Sequence, residues 1–173
     1  NQSVGIIICS YAKAKQLKLD ESKWIFPIAA VQSRHVVTLA QKPTLHTHPG
    51  TRLTGKRVME LAHVKPEDVK LADVYSCFPV SLEVGVADMN LPNDCQLSVT
   101  GGMAFAGGPY NHGALDSIAR MTEVLRTQKN QEPPSVGLVT NVSGMFGKQA
   151  AGIFSTSHTQ GMFTFEDVTD TIK

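Results

Sequence analysis

The chain has 173 residues, of which 42% are hydrophobic and 18% charged, with a net charge of +1. That balance fits a folded domain with a sizeable core and excludes a disordered chain; the low charge density means either a large internal core or surface covered by something else. It leaves no basic footprint for nucleic acid, no apolar run of the ~18 residues a membrane span needs, and no charged leader before a cleavage site. Cys9, Cys77 and Cys95 are odd in number and include no C-x-x-C, which argues against a disulfide framework or a zinc site and for a reducing, cytoplasmic setting.

In chain order, Val4-Gly5-Ile6-Ile7-Ile8-Cys9 is a continuous β-branched apolar run and predicts a buried strand. Ser10 is placed to cap a short helix over Tyr11 to Leu19. Trp24 to Val31 predicts a second strand, which Pro27 makes an edge or interrupted one. Gln32 to Pro49 reads as irregular. Its His46-Thr47-His48 spacing suits a strand edge that binds metal, but no third ligand stands nearby, so a surface loop is expected and no metal. Thr51 to Val64 predicts a helix that buries Leu53, Val58, Met59, Leu61 and Ala62, capped by Thr51 or Thr54, with His63 near its C-terminal end in a structural role. Pro66 opens a turn, and Val69 to Val74 predicts a strand. It runs into Tyr75-Ser76-Cys77-Phe78 and then a helix that begins at Pro79, holds Val80, Leu82, Val84, Val86, Ala87 and Met89, and ends near Asn90.

Leu97 to Thr100 predicts a short strand, and residues 101–113 follow with five glycines in thirteen positions. Such a turn allows positive φ and close approach of a ligand. The next helix, Ala114 to Arg126, buries Ala114, Leu115, Ile118, Met121, Thr122 and Leu125. A strand, a glycine turn and a helix start in this order aim free N–H groups at one point, which suits an anion or a developing oxyanion. Ser135 to Asn141 predicts a buried strand, Val142 to Lys148 a turn, and Gln149 to Ser155 its hairpin partner. The polar tail from Thr156 to Lys173 either packs weakly or extends to a partner. Alternation of this kind means a layered α/β fold with helices over the faces of a mixed sheet.

Four blocks of the chain resemble the C-terminal half of a thiolase, more closely the thiolase-like acetyl-CoA acetyltransferases related to the sterol-carrier-protein-type thiolases. Residues 1–10 look like the last strand of that family's N-terminal half. Asp73 to Phe78 stands where the family has its NEAF or HDCF motif. Thr100-Gly101-Gly102 through Gly107-Gly108-Pro109 stands where it has the GG…GHP loop, and Gly137 to Ser155 is similar to its final hairpin. The resemblance implies a mixed, mostly parallel five-stranded sheet. It divides the chain into residues 1–20 as the end of the N-terminal half, 21–156 as the C-terminal domain and 157–173 as a tail. It also implies acyl transfer on coenzyme A thioesters, in the lipid metabolism of an oligomer, with acyl-CoA as substrate, no covalently bound cofactor, and a separate N-terminal half that carries the nucleophilic cysteine.

The chain departs from that pattern at several positions. The histidine of GHP falls on Gly108, the Asn or His of the NEAF or HDCF motif on Tyr75, and the hairpin-turn cysteine near Asn141, with no cysteine after Cys95. The catalytic candidates that remain are His112, as a replacement base or a cap of the loop, Asn111, to orient a water or carbonyl, and Tyr75, as a hydrogen-bond donor or a packed aromatic. Gly107, Gly108, Asn141 and Ser143 are the expected substrate-binding positions. Cys77 reads as a small buried residue rather than a nucleophile. Either an acyltransferase half or a non-catalytic half that supplies dimer or partner surface fits these departures.

Overall fold

The structure is a computed structural model that describes residues 3–106, 108, 112–158 and 161–172. Helix α1 spans Tyr11–Gln16 and starts where the Ser10 side chain accepts the Lys13 N–H. Strand β1 covers Phe26–Arg34, helix α2 Pro49–Ala62, strand β2 Leu71–Asp73, and helices α3 and α4 Pro79–Met89 and Gly113–Thr127. Strands β3 (Val136–Ser143), β4 (Lys148–Ser155) and β5 (Thr164–Asp167) complete one five-stranded sheet in the order β2-β3-β4-β1-β5.

The α/β class and the mixed sheet are as the sequence indicates. β2 with β3 and β1 with β5 are parallel, while the β3–β4 hairpin and the β4–β1 pair are antiparallel, so four of the five strands run one way and β4 runs against them. Period-two alternation sends Leu138 to one face of the sheet and Val139 to the other. Leu138 joins Val31, Val58, Met59 and Ile153 under α2, and Val139 joins Leu71, Met121 and Leu125 under α4. Helix α3 packs on α2, where a side chain at Gly55 has no room beside Met89.

Several expectations are corrected. Residues 4–9 form no strand: Ile7 is 97% and Ile8 79% exposed, because the run finds no neighbouring strand among the described residues. Of the two alternatives for β1, the interrupted strand holds and the edge position does not: β1 lies inside the sheet, and its register shifts between Pro27 and Ala29. Residues 97–100 are not a strand, since the Val99 and Thr100 N–H groups turn to the Asp73 carboxylate instead of a ladder. Helix α2 begins at Pro49, and its cap is His48 rather than Thr51 or Thr54. Leu115 and Val80 are exposed rather than buried, the latter beside a cleft described below. Part of the polar tail packs: β5 pairs with β1, and Val168 behind it is buried.

Candidate functional site

β2 and β3 run parallel, so their C-terminal ends lie together at one edge of the sheet. Ligands of α/β sheets gather at such ends. Here the chain leaves β2 into Tyr75–Phe78 and the start of α3, while β3 ends in Asn141–Ser143 and the turn to β4. The glycine-rich loop and the start of α4 close the third side, and residues 42–48 the fourth. Between them lies a cleft of about 640 Å³. Tyr75, Cys77, Phe78, Val80, Ser81 and Val84 line it from the β2–α3 connection and α3, Met103, Gly108, Gly113 and Ala114 from the loop and α4, Asn141 to Phe146 from the hairpin, and Lys42, Leu45, Thr47 and His48 from the fourth side. No Asp or Glu lines it among the described residues, and that set includes two nitrogen bases, Lys42 and His48.

One carboxylate underneath fixes the loop. Asp73, at the end of β2, is 5% exposed. Its Oδ2 accepts from the Ser98 hydroxyl at 3.0 Å and from the Val99 N–H, the Thr100 N–H and the Thr100 hydroxyl at 2.9 Å each. Its Oδ1 accepts from the Ser117 hydroxyl of α4 at 2.7 Å. A buried carboxylate is tolerated when donors surround it, and here the donors tie β2, the approach to the loop and α4 into one unit. Gly101 and Gly102 follow with φ of 87° and 86°, a region that favours glycine. Met103 N–H then donates to the Ser76 hydroxyl at 3.0 Å, which holds the loop against the β2–α3 connection.

The expected site residues divide. Tyr75, Gly108, Asn141 and Ser143 all line the cleft. Tyr75 is held by its main-chain N–H, which donates to the Thr140 hydroxyl at 2.9 Å, and the Asn141 side chain accepts from Val142 N–H at 3.0 Å. His112 is the N-cap residue of α4 but makes no side-chain cap. Its Nδ1 lies 3.1 Å from Asp116 Oδ2, and it is not among the cleft-lining residues. Gly107 and Asn111 lie outside the described residues. Cys77 is exposed in the cleft rather than buried, with its sulfur 3.3 Å from the Ser81 hydroxyl. The chain direction explains this: Cys77 precedes the N-cap of α3 and stands at the open end of the helix.

Lys42 and His48 carry no role in the sequence reading, yet both line the cleft. His48 is 3% exposed, not part of a surface loop. Its Nδ1 accepts from Thr51 N–H at 3.3 Å, and its main-chain N–H donates to Asp88 Oδ2 at 2.6 Å. Asp88 in turn binds Arg52. The imidazole pKa is pushed down to about 4, chiefly by burial, then by Lys42 and His35, with Asp88 opposing. The ring is therefore neutral at pH 7 and carries its proton on Nε2. A histidine directly before Pro-Gly at a helix start is the signal that could have found it, because such a position needs a side-chain acceptor. Among the described residues, no group of three or more His, Cys, Asp or Glu side chains is placed to hold a metal ion.

No protein-family model matches this chain, and no curated protein matches it. A solved structure does: a monomeric SCP2-thiolase-like protein type 1 from Mycobacterium smegmatis, at 25% identity and a TM-score of 0.76 over 87% of this chain. The chain spans 33% of that protein's length. Layer order, sheet and extent of the match agree with the motif resemblance: in fold, this chain is one half of a thiolase.

Proposed function

We propose that the chain is the C-terminal portion of a thiolase-like acyl-CoA acyltransferase and that the cleft at the ends of β2 and β3 receives the acyl thioester. The observation that carries this reading is the convergence of Tyr75, Gly108, Asn141 and Ser143 on one cleft, since these positions correspond to three separate motifs of the resemblance. Loop donors and the starts of α3 and α4 face a place where a thioester oxygen gains negative charge. Residues 1–20 belong in this reading to the end of the N-terminal half, and the unpaired Ile6–Ile8 run is the part that half covers. The nucleophilic cysteine comes from that half as well, and the working protein is a homo-oligomer. His112, held by Asp116, is the base candidate nearest the loop, with Asn111 beside it in sequence.

The test joins this chain to an N-terminal thiolase half and measures thiolysis of acetoacetyl-CoA, with mass spectrometry for acylation of a cysteine by acetyl-CoA. Turnover that falls with His112→Ala, in a protein that stays folded, supports the assignment. Absence of both turnover and acylation sinks it. The second reading, a non-catalytic half that supplies partner surface, is favoured by Gly108 and Tyr75 standing where the family has its histidine and its Asn or His. Binding of the N-terminal half without turnover selects that reading.

A further inference from the structure

Two cleft-facing groups lack the partners that their burial calls for. The Lys42 ammonium, half-buried, donates to the Met145 carbonyl at 3.0 Å and stands 5.9 Å from the Phe146 ring centre. No carboxylate lies within salt-bridge distance of it among the described residues, and burial pulls its pKa down. On the same side of the cleft, near enough for Lys42 to act on its charge, the buried His48 has Nε2 without a hydrogen-bond partner. Thr51 N–H holds the opposite nitrogen, which leaves the proton on Nε2, and the rings of Phe146 and His35 flank the imidazole at centre distances of 5.9 and 6.2 Å. A buried donor without an acceptor is costly, and an unpaired charge more so. Both groups line a cleft with no acidic residue.

We propose that Lys42 and His48 form an anion subsite of the cleft that takes a carboxylate or phosphate group of the ligand. Lys42 Nζ supplies the charge, and His48 Nε2–H supplies one directed bond. Met145 and Phe146, at φ of 54° and 67°, belong to the turn that lines the cleft beside them. An incoming oxygen takes the place of the Met145 carbonyl on Lys42 and accepts from His48 Nε2–H. The identity of the ligand as a coenzyme A ester rests on the function proposed above, but the anion chemistry does not. Within that function the anion is either a carboxylate at the far end of the acyl group or a phosphate of the carrier.

The experiment titrates the nitrogen-15-labelled chain with succinate and, separately, with inorganic phosphate, and follows the His48 ring signals. The expected result is a saturable shift at His48 with at least one of the two anions. Lys42→Met should weaken that anion about tenfold or more, as loss of a charged hydrogen bond does. His48→Asn keeps an acceptor for Thr51 N–H while it removes Nε2, and should weaken the same anion without unfolding the chain. No saturable shift, or an affinity that Lys42→Met leaves unchanged, overturns the proposal. Coenzyme A esters then distinguish the source. Lys42→Met that weakens succinyl-CoA but not butyryl-CoA assigns the carboxylate. Weakening of both, with S-acetylpantetheine unaffected, assigns the phosphate. If the free anions bind and no coenzyme A ester does, the subsite stands and the acyl-CoA reading falls.

Discussion

Asp73 and His48 are both buried polar side chains at the same cleft, and they are satisfied in opposite ways. Asp73 collects donors from the 98–100 segment and α4 and spends none of its capacity on the cleft. His48 uses Nδ1 as a cap and keeps Nε2 without a partner. The first arrangement is what a scaffold needs, since each donor removed from water has an acceptor. The second is left incomplete by the fold, and a ligand can complete it. Local satisfaction, more than burial or charge, therefore separates the supporting side of this cleft from its receiving side.

The largest effect expected from breaking this contrast is at Asp73. Asp73→Ala strands two main-chain N–H groups, takes an acceptor from three hydroxyls that keep other partners, and should cost about 3 kcal/mol or more in urea unfolding. Hydrogen exchange should speed up first at Val99 and Thr100. Acid comes next. His48 is neutral above pH 6.5 in both the folded and unfolded chain and contributes nothing there. Between that value and its folded value of about 4, the unfolded chain takes a proton that the folded chain refuses, so stability falls as pH drops. The full loss is on the order of 3 kcal/mol and is complete below pH 4. Stability measured by urea across this range should depend less on pH in His48→Asn; an unchanged slope would mean that His48 does not carry the loss.

A smaller cost is expected for Gly102→Ala, whose φ of 86° strains any side chain and whose new carbon would lie 3.2 Å from the Ser76 hydroxyl. About 1–2 kcal/mol of destabilisation, read as a lower Tm, fits that strain. The smallest change is at Thr51, whose buried hydroxyl has no partner. Thr51→Val keeps the shape, removes an unsatisfied oxygen, and should leave stability unchanged or raise it by up to about 1 kcal/mol. A clear loss of Tm would mean that this hydroxyl has an acceptor after all and would weaken the contrast with Asp73.

Much of the fold was legible because it depends on periodicity. The 3.6-residue spacing around Val58, Met59 and Ala62 marks α2, the proline at 79 marks the start of α3, and the paired apolar runs around residues 144–147 mark the β3–β4 hairpin. Elements whose partners are not local were missed. β5 is four residues with largely exposed side chains, so it carries no apolar signature, and only its pairing with β1 makes it a strand. The Ile6–Ile8 run has the opposite defect: a strong signature with no partner among the described residues. Motif position picked out Tyr75, Gly108, Asn141 and Ser143, and these line the cleft. His48 was missed, because cap reasoning favours Ser, Thr, Asp or Asn and settled on threonines one turn inside the helix. Lys42 acquires meaning only once residues 42–48 fold against the 143–146 turn.

The bare Ile6–Ile8 segment also bears on how the protein behaves in a tube. Three consecutive isoleucines beside an exposed cysteine are a seed for clumping, since short β-prone stretches without charge stack on copies of themselves and a free thiol can lock the stacks together. Concentrated stocks of the separate chain should turn cloudy on storage, and faster without reductant. Ile7→Lys with Cys9→Ser should keep them clear on light scattering. If an N-terminal half covers this segment, as proposed above, the same pair of changes would spoil the chain for reconstitution, and work on the joined halves has to leave it intact.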